Sequence, residues 1–263
     1  MRSRRGGIRD CATGACHAAD VPSASWIEGT LVGFDLETTG LDREVDEPVS
    51  YAFAVCEPSG LVAVDERFML PTRAISRGAS GVHGLTVARL HELGASSHDD
   101  GLRAIERRIG VLSAEGTPIV GANLAYDLTM VDRALGRLAS PASLLSIGWD
   151  GPALDVLVID RAMDADFAAR PVRKLAALCE HYAISAELHT AGGDATAAVQ
   201  ILLAQAARFP VLAEMSLEEL YGQQVLWHKE WCEEYSARRV AGGHRPLAVT
   251  ESAWPYLERM TLF

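Results

Sequence analysis

The sequence contains no apolar run long enough to span a bilayer, and its first residues lack the apolar segment of a secretory signal. The first absence argues against a protein anchored by a membrane-spanning helix, and the second against export through such a signal. We therefore expect a cytoplasmic protein with no membrane partner, whose five cysteines are reduced thiols rather than disulfides.

Lysine is almost absent, since Lys174 and Lys229 are the only two in the chain, and the net charge is −11. Such a charge gives no general attraction for phosphates. It does not exclude nucleic acid, because carboxylates that hold divalent cations are neutralised locally by those cations. The densest basic group admits two readings, a solvated helix face or a track for the phosphates of a strand. Its members are Arg161, Arg170, Arg173 and Lys174.

The length and composition indicate one sizeable domain with appendages. Of the 263 residues, 49% are hydrophobic, which suits a single core of ordinary size. Residues 1–25 are rich in Gly, Ala and Ser with few large apolar side chains, so we interpret them as a disordered leader. We place the main domain at residues 26–210 and a C-terminal helical extension with a tail at residues 211–263.

Apolar runs and helical periodicities alternate through the main domain. Two of the runs, at residues 49–57 and 61–70, are separated only by Pro58, Ser59 and Gly60, which predicts an antiparallel hairpin. Strands preceding helices then follow along the chain, which predicts an α/β fold, a mixed sheet with helices on both faces. We expect further strands at residues 31–36, 118–122 and 153–160, and helices at residues 100–112, from 126, 172–181 and 193–209.

Acidic residues occur where strands end and helices begin. Asp35 and Glu37 are two positions apart on the first strand and therefore point to the same face. Asp127 and Asp194 each fall in the first turn of a helix, and His189 lies in the loop before the second of these. Ligands bind at the carboxyl ends of strands in such sheets. Oxygen ligands of this kind suit Mg²⁺ or Mn²⁺ rather than zinc.

Three short motifs carry a resemblance to a known family. They are FDLETTG at residues 34–40, NLAYD at 123–127 and HTAGGD at 189–194, and VHGLT lies between the first two at 82–86. Together they resemble the DEDDh superfamily of 3′→5′ exonucleases, and most closely the proofreading epsilon subunits of bacterial DNA polymerase III. The resemblance implies a ribonuclease-H-like fold. Two positions depart from the family pattern, because Ala122 stands for a His and Tyr126 for a Phe.

The resemblance also implies a two-metal site. Asp35, Glu37 and Asp194 would hold one divalent ion, Mg²⁺ or Mn²⁺, while Asp35 and Asp127 would hold a second. His189 would accept the proton of the attacking water. Two such ions stabilise the attacking and the leaving oxygens of phosphodiester hydrolysis.

The expected substrate is the end of a single-stranded nucleic acid. The resemblance assigns its contacts to the turn after the first strand and to two residues elsewhere. These substrate-binding residues are Thr38, Thr39, Gly40, Leu41, His83 and Asn123. For two of them an alternative stays open, since Leu41 could belong to the core and His83 to a loop turn. The VHGLT segment favours DNA, although an exoribonuclease similar to oligoribonuclease or RNase T stays open. A catalytically silent binding module would predict loss of an acid or of His189, and none is lost.

The C-terminal extension has two features of its own. Residues 216–235 show apolar and aromatic residues at helical spacing, which predicts an amphipathic helix that packs on the main domain or binds a partner. The tail resembles the peptide by which bacterial replication and repair enzymes dock on the sliding clamp. Its residues are Met260, Thr261, Leu262 and Phe263, and folding back onto the helix is the alternative.

Overall fold

The computed structural model describes residues 25–164, 173–248 and 252–256. Most of the leader, Arg170 of the basic group and the tail residues Met260, Thr261, Leu262 and Phe263 lie outside these residues. Their roles therefore stay predictions.

Three antiparallel strands form one half of the sheet. They are β1 (Leu31–Thr38), β2 (Pro48–Glu57) and β3 (Gly60–Leu70). Strand β2 lies between the other two and pairs antiparallel with both, so the predicted hairpin is confirmed. Gly60, with φ of 120°, supplies the backbone conformation that the tight turn between β2 and β3 requires.

Short parallel strands complete the sheet. They are β4 (Ser96–Ser97), β5 (Ile119–Gly121) and β6 (Ala153–Asp155). Strand β5 pairs parallel with β1 and β6 pairs parallel with β5, while β4 pairs parallel with β3. The strand order is β4-β3-β2-β1-β5-β6, a mixed sheet as predicted.

Helices cover both faces of this sheet. In chain order they are α1 (Arg77–His83), α2 (Val87–Glu92), α3 (His98–Glu115), α4 (Leu124–Arg137), α5 (Val156–Met163), α6 (Leu175–Tyr182), α7 (Ala191–Arg208), α8 (Pro210–Glu214) and α9 (Leu217–Ala241). Side chains of α3 and α4 join Phe34 and Leu36 of β1 in one core cluster. Side chains of α5, α6 and α7 form a second cluster with Leu31 and Val120. The two clusters lie on opposite faces because side chains alternate along a strand.

The strand predicted at residues 153–160 is wrong beyond Asp155. Only Ala153–Asp155 is extended, and Val156–Met163 is helical. A continuous apolar run has no period that separates a strand from a buried helix. Here the Asp155 carboxylate accepts a hydrogen bond of 2.9 Å from the Leu157 N–H, so it caps the helix and ends the strand.

Helix α9 begins with a capping box, in which Ser216 and Glu219 each accept a hydrogen bond from the other's backbone N–H. It extends six residues beyond the predicted end and packs against β6 and α5. The buried amide of Gln224 accepts from the Asp155 N–H at 2.8 Å and donates to the Ala153 carbonyl. The C-terminal extension is thereby joined to the sheet edge. Among the described helices, none is long and apolar enough to cross a membrane.

Candidate metal centre and nucleic-acid interface

The carboxylates of Asp35 and Glu37 lie on the face of β1 that α7 covers, while Leu36 between them is buried in the opposite core cluster. Both acids are partly buried. The strand pairing shifts register between Glu37 and Thr38, where β1 leaves the sheet. Such a bulge re-aims the chain at the end of a strand. The two acids therefore stand at the carboxyl end of β1, side by side.

A glycine in β1 brings α7 close to these acids. A Cβ atom at Gly33 would lie 2.2 Å from the backbone oxygen of Ala195, so only glycine permits this approach. Ala52, Ala191 and Ala195 add small side chains to the same contact. Because Asp194 directly precedes Ala195, the close crossing places its carboxylate beside Asp35 and Glu37.

The loop before α7 is fixed by hydrogen bonds. Thr190 caps the helix by accepting from the Gly193 N–H at 3.0 Å. His189 adopts a left-handed backbone conformation with φ of 67°, and its backbone N–H donates to the Asp194 carboxylate at 3.1 Å. The His189 side chain is exposed. The loop thus holds a solvent-accessible imidazole next to Asp194.

Asp35, Glu37 and Asp194 converge on one point. Each offers a carboxylate oxygen, and these three oxygens lie within 4.8 Å of one another. Burial raises the pKa of Asp35 well above its usual value, and Asp127, Asp194, Glu37 and Glu66 raise it further by charge repulsion. Burial, then Asp194 and Glu66, raise the pKa of Glu37 to about 7. Burial also raises the pKa of Asp194, against the opposing effect of His189.

Asp127 lies beside this group of three rather than in it. The side chain is buried in the first turn of α4, and burial raises its pKa, as do the charges of Asp155 and Glu37. Hydrogen bonds from backbone N–H groups, including that of Leu36, oppose the rise. Asp127 is therefore joined to β1 by a hydrogen bond from the Leu36 N–H, while the charge of Glu37 on the same strand repels its carboxylate.

Asp155 caps two helices, a role that was not predicted from the sequence. Its two carboxylate oxygens accept from the N–H groups of Asn123 at 3.1 Å and Leu124 at 2.9 Å, and also from Leu157. One buried side chain thus caps both α4 and α5. An Asp directly before an apolar helical run is a recognised start signal, and it was available in the sequence.

The turn after β1 is built from side-chain hydrogen bonds. Thr39 donates to Asp46 at 2.8 Å, and Thr38 donates to the Gly40 carbonyl at 2.8 Å. A Cβ atom at Gly40 would lie 2.5 Å from the Asp46 carboxylate, which explains the glycine. Tyr126 donates its hydroxyl to the Gly40 carbonyl at 2.7 Å and lies 3.0 Å from the Thr38 hydroxyl. Tyr126, where the family has Phe, therefore adds hydrogen bonds between α4 and the turn.

The other predicted substrate residues lie around the same turn. Leu41 is 87% exposed, which is inconsistent with a role in the core. His83 ends α1, and its Nε2 lies 3.2 Å from the Thr38 carbonyl while its Nδ1 accepts from the Leu85 N–H. Helix α1 is thereby attached to the turn. Asn123 has a left-handed backbone with φ of 69° and is exposed at the start of α4.

An open pocket of about 360 Å³ adjoins the carboxylates. Its lining includes the acidic Asp35 and Asp194, Asn123 at the start of α4, and three basic side chains. These basic residues are Arg161, Arg173 and Lys174. The structure thus brings the described part of the basic group to the acidic cluster.

The donor set fits a hard divalent cation. Three carboxylate oxygens lie within 4.8 Å of one another, and, after burial, the charges of Asp194 and Glu37 raise the pKa of Asp35 while that of Asp194 raises the pKa of Glu37. Oxygen ligands at such a point are typical of Mg²⁺ and Mn²⁺. No cysteine belongs to the group, and those of the described residues, Cys56, Cys179 and Cys232, are buried free thiols.

The fold and this acidic cluster define a ribonuclease-H-like α/β protein of the nuclease type. Residues 32–202 match the family model of the RNase_T exonucleases. The match covers more than half of the chain, which therefore belongs to this exonuclease family.

The chain is also similar to individual proteins of known sequence or structure. The PolC-type DNA polymerase III of Thermotoga petrophila is 26% identical over 144 residues, which are 53% of this chain and 9% of that protein. Exonuclease I of Methylocaldum szegediense superposes with a TM-score of 0.58 at 20% identity, covering 76% of this chain and 43% of the other. Escherichia coli exonuclease I in complex with a dT13 oligonucleotide gives a TM-score of 0.56 at 20% identity, covering 70% and 42%. The chain thus spans under half the length of these relatives.

Proposed function

We propose that this protein is a metal-dependent 3′→5′ exonuclease that hydrolyses phosphodiester bonds at the end of a single strand, DNA rather than RNA. The observation that carries the proposal is the convergence of Asp35, Glu37 and Asp194 to within 4.8 Å in a chain of the exonuclease family. Carboxylates that repel one another at one point are stabilised by a cation between them.

Four acids are assigned to two cations. Asp35, Glu37 and Asp194 would hold the first, and Asp35 with the neighbouring Asp127 would hold the second. When bound, such ions supply Lewis acidity and a nucleophilic water at neutral pH. The raised pKa values of the four carboxyls are consistent with this assignment, since each is destabilised in its charged form until a cation is present.

His189 is assigned as the general base. An imidazole accepts a proton near neutral pH, and this one is exposed beside Asp194, where an incoming water can reach it. The hydrogen bond from the His189 backbone N–H to the Asp194 carboxylate keeps the loop against the cluster and leaves the imidazole out of that bond. In this role His189 takes the proton of the attacking water and releases it to solvent.

The turn after β1 is assigned to the terminal nucleotide. Its conformation is set by Thr38, Thr39 and Gly40, and the exposed Leu41 side chain is free to pack against a base. Asn123 and His83 flank the turn. The similarity to an exonuclease I that binds dT13 supports DNA as the substrate.

The proposed catalytic domain comprises residues 26–210. Residues 211–263 are proposed to act as an extension that supports it, because the buried Gln224 of α9 hydrogen-bonds to Asp155, which in turn caps the helix that carries Asp127.

The test uses a 5′-labelled DNA single strand and an RNA of the same sequence, each incubated with Mg²⁺, Mn²⁺ or EDTA. We expect a ladder that shortens from the 3′ end with either metal, faster on DNA, and no products in EDTA. Faster cutting of RNA would favour the exoribonuclease alternative. Binding without hydrolysis would favour a silent module, and cutting in EDTA would contradict the metal assignment.

A further inference from the structure

Arg161 lies in the pocket beside the carboxylate cluster and is held there by an aromatic side chain of α9. Its guanidinium carbon is 4.1 Å from the centroid of the Trp231 ring. Trp231 in turn stacks on Tyr235, with ring centroids 5.0 Å apart and planes 11° from parallel. The aromatic stripe of α9 therefore fixes a cation at the wall of the pocket.

The charge of Arg161 is not balanced by an ion pair within the described part of the chain. None of the ion pairs among those residues involves Arg161 or Lys174. Arg173, on the same wall, pairs with the buried Asp160 at 3.1 Å. The Arg161 guanidinium instead lies over the Trp231 ring, and the side chain lines the pocket.

The surroundings of Arg161 disfavour its own charge. Burial lowers the pKa of its guanidinium, and the nearby charge of Arg173 lowers it too, against the opposing effect of Asp155. A guanidinium in such a position gains most from an anion that forms two parallel hydrogen bonds with it. Phosphate oxygens provide this geometry.

We infer that Arg161, positioned by Trp231, binds a backbone phosphate of the strand whose end lies at the carboxylate cluster, with Lys174 as a second contact. The inference rests on the proposed function and names a strand-binding site outside the motifs of that function. Asp35, Asp194 and Arg161 line the same pocket, so the guanidinium is near a strand that ends at the acids.

The site distinguishes a phosphodiester strand from other anions by its composition. An acidic peptide would bring further carboxylates next to Asp35 and Asp194 and so increase the repulsion among these acids. A nucleic-acid strand combines a phosphate for the guanidinium with a scissile phosphate for the cations that the acidic residues would hold. Of these two ligands, only the strand would be bound by both the acidic and the basic residues of the pocket.

The first test is a binding titration in EDTA, where metal-dependent cutting does not occur. The probe is a 5′-fluorescein oligothymidylate followed by fluorescence anisotropy at several KCl concentrations. We expect Arg161→Gln to bind roughly tenfold or more weakly than the wild type, the effect of losing a hydrogen bond to a charged group. Its plot of log affinity against log salt should be shallower by about 0.7, the value for one phosphate contact on a single strand.

The matched control is Arg107→Gln, which removes the same charge. Arg107 is exposed on α3, whose buried side chains belong to the core cluster on the opposite face of the sheet. This variant should retain the wild-type affinity and salt slope. Equal behaviour of the two variants, or no saturable binding by the wild type, would overturn the inference.

A double-mutant cycle tests Trp231 as a positioning residue. If Trp231 acts through Arg161, the Trp231→Ala change should weaken binding in the wild-type background and have no further effect in Arg161→Gln. The Trp231→Phe variant should retain most of the wild-type affinity, because it keeps an aromatic face under the guanidinium. Additive losses in the cycle would instead assign Trp231 a structural role alone.

Failure of the inference and failure of the proposed function give different results. If the wild type degrades DNA with Mn²⁺ but Arg161→Gln binds and cuts as Arg107→Gln does, the exonuclease stands and the phosphate site does not. If the wild type never cuts DNA but binds it through Arg161, the phosphate site stands without the exonuclease.

Discussion

Replacing Glu37 with Gln is expected to stabilise the metal-free protein, and the gain should grow as the pH rises from 4.5 towards 7. Burial and the charges of Asp194 and Glu66 raise the pKa of Glu37 from 4.5 to about 7. The folded state therefore binds the Glu37 proton more tightly than the unfolded chain does. The wild type therefore loses stability as the pH rises between these two values. The Glu37→Gln variant has no proton to lose at this position, so it does not share this loss.

The magnitude follows from the size of the pKa difference. At full burial a rise from 4.5 to about 7 would correspond to about 3 kcal/mol. Glu37 is only partly buried, and solvent screening reduces the expected gain to about 1–2 kcal/mol. Most of this gain should be present by pH 7.5 or so, a little above the folded pKa.

The assay is urea unfolding in EDTA at closely spaced pH values, for the wild type, Glu37→Gln and the control Glu57→Gln. Glu57 is exposed at the end of β2, so its replacement should leave the pH profile unchanged. A Glu37→Gln variant that is less stable than the wild type at pH 7.5 or so would refute the repulsion argument. So would a difference from the wild type that does not depend on pH.

Three further predictions concern the base, the double cap and the aromatic stripe. His189→Ala should lower the cutting rate roughly 10²–10⁴-fold while calorimetry shows that Mn²⁺ still binds, and loss of Mn²⁺ binding would contradict its assignment as base. Asp155→Ala should cost about 3 kcal/mol or more in urea unfolding because it leaves three helix N–H groups without their acceptor, and a loss under about 1 kcal/mol would argue against the double cap. Trp231→Ala should lower stability by about 1–2 kcal/mol, or a few degrees in melting temperature, and an unchanged melting curve would show that the ring contributes no packing.

The sequence was sufficient to predict the mixed sheet and the order of its long elements. Short apolar runs and the turn at residues 58–60 identified β1, β2 and β3, and helical periodicity identified α3, α4, α7 and α9. The prediction for residues 153–160 failed because Val156–Ile159 is a continuous apolar run without a period, so the capping of α5 by Asp155 decided its structure. The short helices α1, α2 and α8 were not anticipated, since five to seven residues give too little periodicity to recognise.

The site residues were found in the sequence by motif, and their arrangement was not. Sequence order does not reveal that Gly33 lets α7 approach β1, which is what brings Asp194 to Asp35. Four acids were expected to converge on one point, whereas the structure brings together three of them and places Asp127 beside this group. Nor does the substitution of Tyr126 for Phe predict its hydrogen bond to the Gly40 carbonyl, because that contact depends on the folded turn.

The central claim, that Asp35, Glu37 and Asp194 hold the metal used for 3′→5′ cutting, is tested most directly on one set of preparations. Mn²⁺ binding by calorimetry and nucleotide release from a 5′-labelled DNA strand are measured for the wild type, Asp194→Asn and the exposed control Asp99→Asn. We expect the wild type and the control to bind Mn²⁺ and shorten the strand from its 3′ end, and Asp194→Asn to bind it far more weakly and release almost nothing. Wild-type rates in Asp194→Asn, or undiminished cutting in EDTA, would contradict the account.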